Sequence, residues 1–209
     1  MDKINKYKLL HKLEGEMEKD GSLPLKKVAN KLVFGSGNTN AEILCIGEGP
    51  GRNEDIEGLP FVGQAGKLLD KLLLLAGLER KQVFITNVVH HRPPENRDPL
   101  PNEISAYGKY LDLIIKIIDP KVIITLGRFS MAKFLPNVFI SGVHGKKYKV
   151  NWNGKEIIVI PMYHPAASLR NGNVLALEKD DFLQLKEKLV KMKEEEKSKL
   201  PESEQMNLV

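Results

Sequence analysis

Cysteine is nearly absent from this chain, since Cys45 is the only one among its 209 residues. A single thiol excludes an internal disulfide and leaves a metal cluster held by several sulfurs without ligands. Long apolar runs are also absent, and none approaches the roughly 20 residues that a membrane-spanning helix needs. The first residues, Met1 to Lys6, lack the apolar core of a signal peptide. These absences predict a cytoplasmic protein.

A strong charge bias is missing as well, because the formal net charge is only +5. Such a moderate excess of basic residues is compatible with a polyanionic partner and does not require one. The length suffices for one domain with a substantial core, and the sequence contains no internal repeat. We expect one domain over residues 1–193 with an N-terminal helical extension. The charged segment 194–209, which contains Pro201, is expected to be a disordered tail.

Apolar, β-branched runs alternate with segments of helical periodicity along most of the chain. Strands are predicted over residues 42–47, 83–88 and 121–126, followed by a hairpin of 147–150 with 156–160 that turns at Asn153-Gly154. Helices are predicted over residues 4–19, 63–76, 103–118, 128–134 and 177–193, with Asn102 as the N-cap of the third. This alternation predicts the α/β class, as a three-layer α/β/α sandwich around a short, mainly parallel sheet.

Two loops at opposite ends of the chain carry most of the chemical signal. The loop 47–55, GEGPGRNED, follows the apolar run 43–46, and the loop 164–170, HPAASLR, follows the apolar run 157–160. In an open α/β sheet, ligands bind at the carboxyl ends of the strands. One loop supplies backbone amides and carboxylates, and the other supplies a histidine. The two loops are therefore predicted to form one site.

A nucleotide-binding P-loop is the first alternative, because GQAGK over residues 63–67 resembles the end of that motif. The motif needs a glycine where Phe61 stands and a serine or threonine where Leu68 stands. The match therefore fails. Two interpretations of this amide-rich turn remain: it binds one phosphate of a nucleic-acid backbone, or it is only a tight strand-to-helix turn.

Several further blocks stand in a defined order between these two loops. The blocks cover residues 47–51, 54–55, 58–63, 65–66, 86–89, 92–97, 99–101, 126–127 and 164–166. Their order and spacing resemble those of the uracil-DNA glycosylase superfamily, and in particular its family 4. The resemblance extends over roughly residues 31–189.

The resemblance implies a monofunctional DNA repair glycosylase. Such an enzyme flips a deoxyuridine out of DNA, hydrolyses its N-glycosidic bond, releases uracil and leaves an abasic site. No soluble cofactor is implied, and no lysine stands in a motif position suited to Schiff-base attack. The implied partner is uracil-containing DNA, bound by a monomer that does not associate with membranes.

The chain departs from family 4 at one feature, because members of that family hold a four-iron, four-sulfur cluster on four cysteines. Two of these precede the first central strand, where this chain reads SLPLKK over residues 22–27. The third corresponds to His91, and the fourth to Tyr107. We therefore expect no cluster. His91 with His90 does not suggest another metal either, since no carboxylate or cysteine stands at ligand spacing.

Three residues are expected to bind uracil. The resemblance makes Phe61 a stacking platform for the pyrimidine, although an ordinary core position is the alternative for an isolated phenylalanine. Asn87 can donate to uracil O4 and accept from N3–H, whereas cytosine presents the opposite pattern at both atoms. The Gly49 backbone amide is a second donor to the base.

His164 is expected to stabilise the negative charge that develops on uracil O2 as the glycosidic bond breaks. Glu48 and Glu54 are the candidate carboxylates for stabilising the sugar cation or orienting water. Glu54 is also a candidate for excluding the methyl group of thymine from the pocket. Asp55 is expected to fix the loop.

The remaining candidate residues are expected to contact DNA. Leu169 is a candidate wedge that fills the gap left by the flipped base. Contacts to phosphates are expected from Arg170, Arg92, Arg97, Lys67 and the pair Lys146-Lys147. Two alternative functions remain open, namely excision of another deaminated base such as hypoxanthine or xanthine, and a non-catalytic module that binds damaged DNA.

Overall fold

The centre of the molecule is a six-stranded sheet. A computed structural model describes residues 5–198 of the chain. The strands are Ser36–Gly37 (β1), Ile43–Gly47 (β2), Val83–Asn87 (β3), Val122–Leu126 (β4), Tyr148–Trp152 (β5) and Lys155–Met162 (β6). Their order is β1-β3-β2-β4-β6-β5, with the four inner strands parallel and the two edge strands antiparallel. The predicted short, mainly parallel sheet is confirmed. Edge strand β1 was not predicted, because two residues carry no periodicity.

Eight α-helices surround the sheet within residues 5–198. They are Lys6–Lys19 (α1), Arg52–Glu57 (α2), Gln64–Leu75 (α3), Pro101–Ile118 (α4), Arg128–Ala132 (α5), Ile140–Val143 (α6), Pro165–Ser168 (α7) and Gly172–Ser198 (α8). The five predicted helices correspond to α1, α3, α4, α5 and α8. The three that were missed are six residues or shorter, and α2 replaces part of what was expected to be a glycine-rich loop.

The alternation of side chains along the inner strands separates two hydrophobic cores. Leu44 and Ile46 of β2 belong to the core under α1 and α4, whereas Cys45 between them belongs to the core under α3 and α8. Because successive side chains of a strand point to opposite faces, one apolar strand is covered on both sides. The three-layer α/β/α sandwich is confirmed. Within residues 5–198, no helix has the length and apolarity to cross a bilayer.

The start of α4 differs from the sequence prediction. The N-cap is Leu100, and the predicted cap Asn102 lies inside the first turn. Pro101 takes the first helical position, where its fixed φ suits the helix and its missing N–H leaves no donor unsatisfied. The Glu103 carboxylate accepts the Leu100 N–H at 2.7 Å and so supplies the cap from within the helix.

Two predictions near the C-terminal half have different outcomes. The β5–β6 hairpin turns at Asn153-Gly154 as predicted, with φ of 51° and 83° at the two residues, as a tight two-residue turn requires. Helix α8 begins earlier and ends later than predicted, so residues 194–198 of the expected tail are helical. The rest of that tail, residues 199–209, lies outside the described residues.

Candidate active site

A cavity of about 570 Å³ opens at the carboxyl ends of the inner strands. It is formed by the loops that follow β2, β3, β4 and β6, which is where the sequence placed the site. Of the predicted site residues, the cavity is lined by Glu48, Gly49, Glu54, Phe61, Asn87, Arg97, His164 and Arg170. Leu169, Arg92 and Lys67 are not among its lining residues.

His164 lies at the end of β6 and is the N-cap of α7. Its Nδ1 accepts the Ala166 N–H at 3.1 Å, so the ring proton of the neutral histidine is on Nε2. Burial, and to a smaller extent the charge of Arg170, lowers the pKa of His164 to about 4, against an opposing effect of Glu54. At neutral pH the ring is therefore an uncharged donor through Nε2.

Phe61 lies against His164, with ring centroids 5.7 Å apart and an interplanar angle of 26°. Its backbone has a φ of 54°, which is uncommon for a bulky residue. The turn is tightly packed, because a Cβ added to Gly66 would overlap the Phe61 carbonyl. The ring also belongs to the core under α3 and α8. Phe61 is therefore both a core residue and part of the cavity wall.

Asn87 ends β3 directly beside Gly47 in the register of the sheet. The side chain is buried, and its Oδ1 atom has no hydrogen-bond partner within residues 5–198. A Cβ added to Gly47 would overlap both this oxygen and the Phe61 ring. Glycine at position 47 thus lets the amide and the aromatic ring meet at one point of the cavity. An unpaired buried acceptor is costly unless a ligand satisfies it.

The two candidate carboxylates have different surroundings. Glu54 accepts the N–H groups of Val62 and Gly63 through Oε1, at 2.9 and 2.8 Å. These amides belong to the turn for which phosphate binding remained an alternative, so a protein carboxylate already occupies two of its donors. A structural turn without phosphate is therefore the better interpretation, although the turn joins α2 to α3 and, contrary to the prediction, does not follow a strand directly. Asp55 accepts the Asn30 N–H at 2.8 Å, as expected of a loop-fixing residue.

Glu48 lines the cavity from the loop after β2. Its Oε1 accepts the Phe129 N–H at the start of α5, at 3.1 Å. The pKa of Glu48 is raised, chiefly because burial disfavours the charged form, and hydrogen bonding to Phe129 and the charge of Arg128 oppose the shift. A carboxylate in this position is poorly hydrated and interacts strongly with nearby charge.

The predicted phosphate contacts are not equivalent. Arg97 makes two hydrogen bonds to the buried Glu103, at 2.8 and 2.6 Å, so its guanidinium holds the proline-rich loop onto α4. Because this guanidinium is already paired with a carboxylate, Arg97 is a poorer phosphate ligand than the sequence predicted. Arg92 is not a lining residue and donates through Nε to Asn96 of the cavity wall, whereas Arg170 lines the cavity and donates through Nε to the Ala166 carbonyl at 3.0 Å. Leu169 is half exposed beside it.

Two supporting contacts could not be found from the sequence. Arg80 donates through Nη1 to the Phe61 carbonyl at 3.0 Å and through Nη2 to the Pro60 carbonyl, and so holds the strained turn. Ser168 at the end of α7 donates to the buried Glu178 of α8, which anchors the helix that His164 begins. Both contacts join residues at least ten positions apart, and no local pattern marks them.

The residues at the positions of the family's cluster do not fit an iron–sulfur cluster. His91 Nδ1 and the Tyr107 hydroxyl form a buried hydrogen bond of 2.8 Å, and Leu25 of the segment 22–27 is packed into the same core. The one cysteine, Cys45, is buried in β2 and faces α3 and α8, and burial raises its pKa to about 12. Within residues 5–198, no group of three or more histidine, cysteine or acidic side chains has the arrangement of a metal site.

Fold and cavity together define a class of protein, an α/β sandwich with a cavity at the carboxyl ends of its parallel inner strands. The sequence model of the Uracil DNA glycosylase superfamily matches residues 34–190, and the chain belongs to this superfamily. It is 47% identical to the type-4 uracil-DNA glycosylase of Sulfurisphaera tokodaii, over 85% of this chain and 84% of that protein. The type-4 uracil-DNA glycosylase of Archaeoglobus fulgidus is also 47% identical, over 78% and 84%. That of Thermotoga maritima is 40% identical, over 78% and 84%.

Proposed function

We propose that this protein is a monofunctional uracil-DNA glycosylase, which hydrolyses the N-glycosidic bond of deoxyuridine in DNA to uracil and an abasic site. The observation that carries the proposal is the convergence of Asn87, Phe61 and His164 on one cavity. Similarity to type-4 uracil-DNA glycosylases over most of the chain supports it. Within the described part of the chain no lysine lines the cavity, which favours hydrolysis over lyase chemistry.

Uracil recognition is assigned to Asn87 and Phe61. The unpartnered Asn87 Oδ1 accepts the uracil N3–H, and the amide nitrogen donates to O4. Cytosine has a lone pair at N3 and an amino group at position 4, so both contacts would be repulsive. Phe61 stacks on the base, which reaches the cavity only after the nucleotide has flipped out of the helix.

Bond cleavage is assigned mainly to His164. As the glycosidic bond breaks, its electron pair moves to the base, and negative charge accumulates on uracil O2. The neutral His164 donates its Nε2–H to that oxygen, and the Gly49 amide is a second donor. A donor that meets charge only as it develops lowers the barrier without binding the ground state more tightly.

We assign different roles to the carboxylates of Glu48 and Glu54. Glu48 lines the cavity and is poorly hydrated, so its charge stabilises the sugar cation and orients the attacking water. Glu54 is engaged by the amides of the Phe61 turn, so it shapes the pocket and borders the C5 edge of the base. There it would exclude the methyl group of thymine.

DNA binding is assigned to the rim of the cavity. Leu169 fills the space left by the flipped base, and Arg170 contacts a phosphate beside it. Lys67 and Arg92 contribute further positive charge outside the cavity. Because such contacts displace counterions from DNA, the affinity should fall steeply with salt.

We also propose that the protein works without an iron–sulfur cluster, because His91, Tyr107 and Leu25 occupy the region where the family's cysteines would lie. The purified protein is expected to contain no stoichiometric iron and to keep its melting temperature in EDTA. Stoichiometric iron with visible absorption of a cluster would contradict this proposal and leave the glycosylase assignment intact.

The central experiment measures base release from labelled oligonucleotides that contain uracil, hypoxanthine or thymine, with EDTA present. Excision confined to uracil is expected. Excision of hypoxanthine in place of uracil would establish another deaminated base as substrate. DNA binding without release of any base, and unaffected by His164→Ala, would indicate a binding module.

A further inference from the structure

Phe139 is the most exposed large apolar side chain within residues 5–198, at 85% of its full accessibility. It lies in the connection between α5 and α6, next to the partly exposed Val138. An aromatic ring held in water loses the burial that normally stabilises it. Single exposed apolar side chains are common, so the position of this one must decide whether it has a function.

Phe139 directly precedes a residue of the cavity wall in the chain. The next residue, Ile140, is one of the lining residues. Phe139 is the N-cap of α6, and its carbonyl accepts the Gly142 N–H at 3.0 Å. The backbone that carries the exposed ring is therefore fixed by the same short helix that closes one side of the cavity. A ring on an ordered backbone loses less entropy when it binds than one on an unordered loop.

We propose that Phe139 is a DNA-contacting residue that stacks on a nucleobase next to the flipped uridine. The inference rests on the proposed function and deepens it. When a nucleotide leaves the stack, each neighbouring base loses a partner on the side of the gap. Leu169 on the loop after β6 can cover one of these faces, and Phe139, from a separate loop of the same cavity, can cover another.

A nucleobase fits the observations better than a protein partner. A stable protein interface needs an apolar patch of several hundred Å² with a closely packed centre. In the described connection between α5 and α6, Val138 and Phe139 are the exposed large apolar side chains, so this segment offers two side chains and not a broad patch. The charges that follow in the chain are the exposed Lys146 and Lys147, which suit a polyanion. Aromatic stacking accepts any base, because every base has a π face.

The test compares Phe139→Ala, Phe139→Trp and Phe139→Leu for uracil release from duplex DNA. Loss of one stacked base by alanine substitution is expected to lower kcat/KM by about 5- to 150-fold. Tryptophan should retain activity, and leucine should fall between the two. Tyr7→Ala is the matched control, because Tyr7 is also an exposed aromatic residue, at 63%, on α1, which contributes no lining residue to the cavity.

A second readout separates stacking from charge. Binding of a uracil-containing duplex is measured against salt in the His164→Ala background, where turnover is slow. Phe139→Ala should weaken binding without changing the slope of log affinity against log salt, whereas Arg170→Gln should reduce that slope by about one phosphate contact. The fluorescence of a 2-aminopurine placed beside the uracil should change on binding in both proteins, because flipping unstacks it, and the size of the change should differ in Phe139→Ala, where no ring covers the exposed face.

The outcomes are distinct. Wild-type kcat/KM and affinity in Phe139→Ala would overturn the proposal, as would an equal loss in Tyr7→Ala. A Phe139-dependent self-association with unchanged DNA binding would overturn it in favour of a protein interface. If the wild type released no uracil at all, the proposed function would fail first, and the binding measurements would still decide whether Phe139 contacts DNA.

Discussion

His164 and His91 are both buried histidines whose surroundings keep them neutral, yet they belong to regions with different purposes. Burial lowers the pKa of each to about 4. The Nδ1 of His91 is paired with the Tyr107 hydroxyl inside a core. The Nδ1 of His164 is paired with a backbone amide, and its ring stands in a cavity against Phe61. Electrostatics alone therefore does not distinguish a catalytic histidine from a structural one.

The difference lies in the cavity, which His164 lines and His91 does not. The hydrogen bond between His91 and Tyr107 satisfies one buried pair, although Nδ1 of the adjacent His90 is buried without a partner within residues 5–198. Around His164 a buried oxygen of Asn87 has no partner among the described residues, and Phe61 holds an uncommon backbone conformation. Other buried polar atoms within residues 5–198 also lack partners, so the feature that sets Asn87 apart is its place in the cavity wall, where a ligand can pair with it. The comparison can be sharpened by removing one feature of each region at a time.

The largest effect is expected for His164→Ala. Loss of one donor to the developing anion should lower kcat by about 100- to 1,000-fold. The melting temperature should fall modestly, because His164 is also the N-cap of α7. His91→Phe is the matched substitution in the other region and should leave kcat unaltered. Single-turnover release of uracil measures both. Equal losses of kcat in the two variants would contradict the distinction drawn between the two histidines.

The second largest effect on kcat is expected for one of the two carboxylates of the cavity. Glu48→Gln is expected to lower kcat by about 100-fold, because the amide carries no charge to stabilise a cation or polarise water. Glu54→Gln keeps an oxygen that accepts the Val62 and Gly63 amides, so its effect on kcat should be much smaller. Single-turnover rates of the two variants decide the point. A larger loss in Glu54→Gln would transfer the chemical role to Glu54.

Asn87→Asp should change selectivity. The carboxylate cannot donate to uracil O4, and an unmatched buried pair costs about 1–3 kcal/mol, which corresponds to a loss of about 5- to 150-fold in uracil excision. The ratio of cytosine to uracil excision should rise, since cytosine offers a donor at position 4. The measurement is kcat/KM on matched oligonucleotides that differ in this one base. Unchanged selectivity would remove Asn87 from base recognition.

The smallest effect on activity, and a clear one on stability, is expected for His91→Phe. It removes the histidine partner of the buried Tyr107 hydroxyl, which should lower the free energy of unfolding by about 1–3 kcal/mol at neutral pH. Denaturant unfolding measures this loss, with Tyr107→Phe as the reciprocal variant. An unchanged free energy in both would show that the pair does not hold this region together.

The same variant predicts a pH dependence. The pKa of His91 is lowered from 6.5 to about 4 in the folded protein, so between these values the unfolded chain binds more protons. Stability from this group is therefore full above pH 6.5 and is lost as the pH falls towards 4. The deficit of His91→Phe relative to the wild type should shrink over that window. A deficit independent of pH would contradict the lowered pKa.

Much of the fold could be predicted because its signals are local. The strands ending at Gly47, Asn87 and Leu126 are apolar runs, and the hairpin at Asn153-Gly154 depends on the two residues of its turn. The N-cap of α4 was predicted two residues too late. Asparagine is a good N-cap in general, but Pro101 favours the first helical position, and the Glu103 carboxylate caps the Leu100 N–H. The end of α8 was missed because charge composition does not by itself end a helix.

The sheet, the layers and the two loops from which the site is built follow from the sequence, because periodicity and turn chemistry act over a few residues. Which polar atoms remain unpaired and which are already hydrogen-bonded depends on the tertiary fold. Glu54 was engaged by the turn at Phe61, Arg97 by Glu103 and His91 by Tyr107. These pairings join residues that chain order does not place together, and hydrogen bonds depend on distance and direction in space.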